Sequence, residues 1–141
     1  MGLCVALLMG LAARLVAPFE WPLTLRGIAG FGFVVVGICL AIAGVKSFAR
    51  AKTTVNPTTP AATSALVVTG VYRFTRNPMY LGMLLVLLGW AVYLANAIAF
   101  LLVPVFLLYI SRFQIVPEER VLQEKFGAVF ATYKARVRRW L

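Results

Sequence analysis

The sequence of 141 residues has no histidine, no aspartate and only four glutamates: Glu20, Glu118, Glu119 and Glu124. Without imidazole, and with two cysteines that form no CxxC, a protein-built zinc or iron centre lacks its usual ligands, so no metal is expected. Serine and cysteine hydrolysis usually draw on a His or Lys base, so the missing histidine weighs against them. Paired-carboxylate glycoside chemistry needs two separated acids, whereas Glu118 and Glu119 are neighbours. Neither GxxxxGK[ST] nor GxGxxG occurs, which leaves nucleotide-phosphate cradles unsupported. A proton-coupled multidrug transporter needs a carboxylate inside a membrane span, and the long apolar runs contain no acid. Cys4 and Cys39 lie within those runs and read as small buried hydrophobes.

What is present is apolar and basic. Hydrophobic residues make up 62% of the chain and the mean hydropathy is +0.93, against roughly 45–50% apolar in ordinary soluble domains. Such an excess points to lipid as the solvent and to a single domain, residues 1–141. The net charge of +10 comes from 14 Lys and Arg against 4 acids. The cations sit in gaps between apolar runs and in the C-terminal tail, a pattern that fits anionic headgroups rather than nucleic acid. No nucleic-acid partner is expected. The N-terminus, Met-Gly-Leu-Cys-Val-Ala, lacks the basic start of a cleaved signal peptide, and Ala6 stands where a myristoylation signal wants Ser or Thr.

Four apolar runs cover about Gly2 to Pro18, Gly27 to Phe48, Met79 to Leu94 and Ala97 to Ile110. They predict an all-α integral membrane protein of about four spans. One hairpin falls in 1–49, a loop in 50–78, a second hairpin in 79–113 and an amphipathic tail helix in 114–141. A span wants about 20 apolar residues, so the first and fourth runs are short and Arg14 snorkels. Asn96 marks a tight turn, and Pro104 predicts a kink used for packing or for opening a cavity. Basic residues concentrate in the segment from Arg50 to Asn77 and in the tail. Both therefore face the cytoplasm together with the N-terminus, as expected for a multi-pass protein of a bacterial inner membrane. Pro57 and Pro60 forbid a continuous helix in the loop, Leu66 to Thr69 is a candidate extended piece, and Gly70 permits a turn into Tyr72. Pro117, followed by Glu118 and Glu119, reads as a helix start, with a possible break at Gly127. Trp90 and Tyr93 read as interfacial anchors, and Trp140 as the residue that docks the tail.

Two segments hold most of the reactive side chains: Gly70-Val-Tyr-Arg-Phe-Thr-Arg-Asn-Pro-Met-Tyr-Leu-Gly82, and Pro117-Glu118-Glu119-Arg120. Chemistry that asks little of the protein survives the exclusions above. Methyl transfer from a sulfonium is one case, needing alignment, exclusion of water and oriented charge. A Glu can hold a cofactor ammonium or hydroxyl, and an Arg an anionic acceptor. These segments, with Phe126-Gly127, Tyr133 and Val137-Arg138, resemble the isoprenylcysteine carboxyl methyltransferase family, which belongs with the membrane phospholipid methyltransferases. Thr53 to Pro57 and Leu66 to Thr69 resemble its bacterial members, and the similarity covers about Ala51 to Arg139.

The resemblance implies S-adenosylmethionine as cofactor and a lipophilic, lipid-like acceptor at the cytosolic face. It places cofactor contacts on Ser64, Ala65, Leu66, Val67, Tyr72, Asn77, Pro78, Met79, Tyr80 and Glu118. Glu119 is a neighbouring candidate for the catalytic site together with Arg112. The family often has His where Asn77 stands. At the position of an Arg that meets the substrate carboxylate in eukaryotic relatives, this chain has Gln114, with Arg112 two residues earlier. Arg112 and Gln114 are therefore both candidates for substrate binding. Taken alone, Tyr72 and Tyr80 also read as interfacial anchors, and Arg73 and Arg76 as headgroup contacts. Two other functions fit part of the pattern: an NADPH-dependent membrane reductase of the sterol-reductase type, and a non-catalytic basic membrane protein binding anionic lipid. A reporter fused after Leu141 is expected to be active only on the cytoplasmic side; activity only on the opposite side would refute the orientation.

Overall fold

A computed structural model describes residues 1–51 and 65–141. The described residues form helices joined by turns and irregular segments, with no strand. Helix α1 covers Gly2–Ala12, α2 Leu23–Arg50, α3 Pro78–Leu94, α4 Ala97–Ile110 and α5 Val116–Arg136. A 3₁₀ turn at Gly70–Arg73 precedes α3, and a π turn at Ser111–Ile115 joins α4 to α5. Two helices among the described residues are long and apolar enough to cross a membrane: α2, and the continuous run Ala97–Arg136. The shorter apolar helices are α1 and α3. Ile28, Phe31, Val36, Ile42 and Val45 of α2 lie exposed, as do Leu3, Leu7 and Leu11 of α1. Those faces suit lipid contact, since water would penalise each exposed side chain.

By contact density the chain divides into two compact units, Met1–Cys39 with Gly82–Leu108, and Leu40–Leu81 with Tyr109–Leu141. In the first unit α2 and α3 approach at glycine. A Cβ added at Gly30 would lie 2.7 Å from the Gly89 carbonyl oxygen, and one at Gly37 would lie 2.5 Å from that of Gly82. Only glycine leaves room for backbones this close, the packing device expected where lipid supplies no hydrophobic drive between helices. The turn at Asn96 forms as the sequence predicts. Ala95 takes φ 47°, and the fully buried Asn96 caps α4, its Oδ1 accepting from the Ile98 N–H at 3.0 Å. Its Nδ2 donates to the Val16 carbonyl at 2.7 Å. Trp90 is more than an anchor, because its indole N–H donates to the Ala6 carbonyl at 3.1 Å and ties α1 down.

In the second unit the end of α2 packs on the start of α3 and on the 3₁₀ turn. Gly44 faces Met79, and Phe48 meets the Tyr72 ring edge-on at 5.4 Å between centroids. Gly70, at φ +62°, supplies the turn into Tyr72, and a Cβ there would meet Ser47 Oγ at 2.8 Å. Leu66 to Val68 have no regular structure, and Thr69 is extended, with φ −108° and ψ 170°.

Pro117 stands at the second residue of α5 with Glu118 and Glu119 in its first turn, as the sequence predicts, but α5 continues directly from the π turn before it. In a regular helix its ring would clash with the Phe113 carbonyl. The π turn just before it removes that conflict. The Val116 N–H bonds back to Ser111 rather than to Arg112, so the ladder shifts by one residue ahead of the proline. The break at Gly127 is real, with φ 49° and ψ −121° inside α5. Pro104 lies within α4, whose helix continues through it.

Gly30→Ala is expected to destabilise the first unit. The clash with the Gly89 carbonyl costs roughly 1–3 kcal/mol, more than the ~0.5–1 kcal/mol that Ala gains over Gly in a helix. Gly32, with nothing within 4 Å of an added Cβ, is the control. Thermal unfolding in detergent should show a lowered midpoint for Gly30→Ala alone; equal midpoints would remove the close approach as a determinant of stability.

Candidate functional site

The polar side chains of the second unit gather around two adjacent glutamates near the start of α5. Tyr80, in the first turn of α3, donates its hydroxyl to Glu118 Oε1 at 2.6 Å. Gln114 donates its amide N–H to the same oxygen, also at 2.6 Å. Gln114 and Glu118 are four residues apart, which puts their side chains on one face. Both donors are neutral, and among the described residues no cation pairs with Glu118.

Glu119 lies about 100° further round the helix, and its partners are cations. Arg139 forks onto both oxygens, with Nε to Oε1 at 3.3 Å and Nη2 to Oε2 at 2.7 Å. Arg76 Nη1 lies 3.3 Å from Oε1, an ion pair without hydrogen-bond alignment. The Glu119 side chain is 16% exposed, that of Arg76 13% and that of Arg139 35%. Pairs this sheltered are worth more than exposed ones.

The same arginine brings the tail onto the segment before α3. The Arg139 carbonyl accepts from Thr75 Oγ1 at 3.1 Å and from Asn77 Nδ2 at 3.0 Å. The Arg76 N–H donates to the Arg138 carbonyl at 3.0 Å. Thr75 is buried and also accepts from the Asn77 N–H at 3.2 Å. Tyr133 completes the closure by donating its hydroxyl to the Tyr72 carbonyl at 2.7 Å.

Burial raises the Glu118 carboxyl above its ordinary value, the Tyr80 and Gln114 donors lower it, and the Glu119 charge raises it again. Glu118 lies beyond the apolar run that ends at Ile110, so these are effects of the protein's own interior. Burial pushes the Tyr133 phenol up to about 12, with Arg76 opposing. It stays a neutral donor across the physiological range.

The structure thus brings together Tyr80, Gln114 and Glu118 from the residues singled out in sequence, and it places Glu119 among arginines. One Asn77 amide donor is committed to the tail, while its Oδ1 accepts no hydrogen bond among the described residues. Tyr72 and Val67 are buried, Pro78 is fully so, and Met79 packs on Gly44. Ala65 and Leu66 are half-buried, and Ser64 lies outside the described residues. Arg112 is exposed in the π turn and forms no hydrogen bond or ion pair among the described residues. Sequence reasoning missed Arg139 and Thr75 as parts of this cluster and gave Arg76 only a headgroup role. The one available signal was the shortage of acids, which obliges a sheltered Glu119 to find a cation without saying which.

A family model described as phospholipid methyltransferase matches residues 25–129. The chain belongs to that family. The match includes Tyr80, Gln114, Glu118 and Glu119, and it places the chain among methyltransferases of the superfamily shared with the isoprenylcysteine enzymes. An uncharacterized protein of Haemophilus influenzae (strain ATCC 51907 / DSM 11121 / KW20 / Rd) is 51% identical over 63 residues, 45% of this chain and 100% of that protein. No solved structure gives a significant match.

Glu119→Gln is expected to destabilise the folded chain by roughly 1–3 kcal/mol, because two guanidiniums lose their counter-charge. Arg139→Gln should cost less, since Arg76 remains paired. Denaturation of the two variants in one detergent tests the order; no loss in Glu119→Gln would show the triad to be structurally idle.

Proposed function

We propose that the chain is an S-adenosylmethionine-dependent methyltransferase acting on a lipophilic acceptor, a carboxylate, thiol or amine, at the cytosolic face of a four-span helical membrane domain. Family membership supports methyl transfer in general. The observation that carries the finer reading is Glu118, a sheltered carboxylate held by two neutral donors and paired with no cation among the described residues.

That donor set fits the cofactor. Its Oε1 is fixed by Tyr80 and Gln114, which leaves Oε2 to meet an ammonium or a ribose hydroxyl. Asn77 Oδ1 is a second acceptor for a hydroxyl. When bound, S-adenosylmethionine supplies a methyl already activated on a sulfonium, so the protein's task is alignment and charge placement. Arg112 is the favoured partner for an anionic acceptor. It is exposed and unpaired among the described residues, whereas an amide donor of Gln114 is committed to Glu118. An isoprenylcysteine-like carboxylate is one acceptor this arrangement would serve, and Glu119, neutralised by its arginines, acts as a strut on this reading.

Calorimetric titration of the detergent-solubilised protein with S-adenosylhomocysteine is expected to show micromolar binding. Glu118→Ala should weaken it by roughly tenfold or more, as for loss of a charged hydrogen-bond partner. Binding should also weaken as pH falls through the raised Glu118 pKa, since protonation removes the charge that faces the ligand. A folded protein that binds NADPH and not S-adenosylhomocysteine would replace this reading with the reductase. Binding of neither would favour a non-catalytic protein.

A further inference from the structure

A cavity of about 600 Å³ opens in the second unit beside the Tyr133 ring, walled by Val68, Arg73 and the last turns of α5. Two guanidiniums line it, Arg73 and Arg136. Both are exposed, and neither forms an ion pair or hydrogen bond among the described residues. No carboxylate is among its lining residues.

The hydroxyls at the cavity are already committed as donors. Tyr133 donates to the Tyr72 carbonyl at 2.7 Å, and Thr132 donates to the Ala128 carbonyl at 3.0 Å. Free donor capacity therefore rests with the two guanidiniums, which have no acceptor of their own. Such a site selects a ligand rich in acceptors and poor in donors. The rest of the wall is apolar, with Val129 and Val137 beside the arginines. A free inorganic anion would leave that wall against water, whereas a headgroup with its first methylenes would cover it.

We propose that this cavity binds the phosphate group of an anionic amphiphile, with Arg73 and Arg136 forking onto the phosphate oxygens and the valines covering the stem. The cavity's lining shares no residue with the Tyr80–Gln114–Glu118 cluster, and on this proposal the ligand is no methyl acceptor. Planar guanidiniums suit phosphate because each offers two parallel N–H donors.

The test is calorimetric titration of the full chain in neutral detergent with dioctanoyl phosphatidylglycerol, dioctanoyl phosphatidylcholine and inorganic phosphate. The glycerol lipid is expected to bind and the choline lipid not. The double variant Arg73→Gln/Arg136→Gln should lose roughly tenfold per guanidinium. Arg120→Gln/Arg138→Gln, which removes the same charge elsewhere, should bind like the parent, with circular dichroism reporting that both variants are folded. Displacement of the lipid by inorganic phosphate assigns recognition to the phosphate itself; lipid that phosphate does not displace assigns it to headgroup and stem together. The proposal is overturned by equal binding of the two lipids, by equal loss in the two double variants, or by no binding of the glycerol lipid. Displacement of the lipid by S-adenosylhomocysteine would also overturn it, since the arginines would then belong to the cofactor's carboxylate.

Discussion

The second unit depends on how two consecutive glutamates divide their partners. The helix turns Glu118 toward a phenol and an amide, and Glu119 toward two guanidiniums. In a chain with 14 cations and 4 acids, a sheltered carboxylate free of cations is the improbable state, because any mobile Arg gains by pairing with it. Glu119 opposes this by holding two half-buried arginines, Arg76 and Arg139. Arg139 in turn lends its carbonyl to Thr75 and Asn77, so the tail that neutralises Glu119 also fixes the segment leading into α3. The first turn of α3 carries Tyr80, and Tyr80 orients Glu118. The ion triad, the tail and the Tyr80–Gln114–Glu118 cluster form one chain of dependence.

Much of this was legible in the sequence. The run from Ala97 to Ile110 matches α4 to the residue, and the run from Met79 to Leu94 differs from α3 only by Pro78. Both ends carry local punctuation: Asn96 can cap a helix, and the charged turn at Arg112 stops the apolar pattern. The motif from Gly70 to Gly82 identified the segment that contributes Tyr80, and Gly127 announced its own break. Pro117 marked the start of α5 but not the π turn before it, for a physical reason. A proline one turn into a helix and a proline after a π turn look the same in sequence, and only the ladder shift between Ser111 and Val116 tells them apart. Arg139, the partner shared by Asn77 and Glu119, was hidden because it lies 62 and 20 residues away from them. Side-chain pairing over such separations is settled by the fold rather than by local pattern.

The absence of histidine, which narrowed the sequence reading, also constrains the chemistry proposed for the cluster. The Tyr72 and Tyr133 phenols are not poised to exchange a proton near neutrality. The Tyr133 phenol is pushed up to about 12, and burial raises that of Tyr72 as well. Burial shifts the Glu118 carboxyl toward neutrality, and its donors hold part of that shift back. General acid–base catalysis would therefore have to run through a single carboxylate whose hydrogen bonds favour the ionised form. A reaction whose leaving group is activated before it arrives needs no such base. It needs a fixed negative charge, a neighbouring cation for the acceptor and little water, and those are what Glu118, Arg112 and the apolar helices supply on the proposed reading. The alternative, in which Glu118 is only a buried helix-start acid, leaves unexplained why two neutral donors converge on one of its oxygens while every sheltered arginine nearby is directed to Glu119.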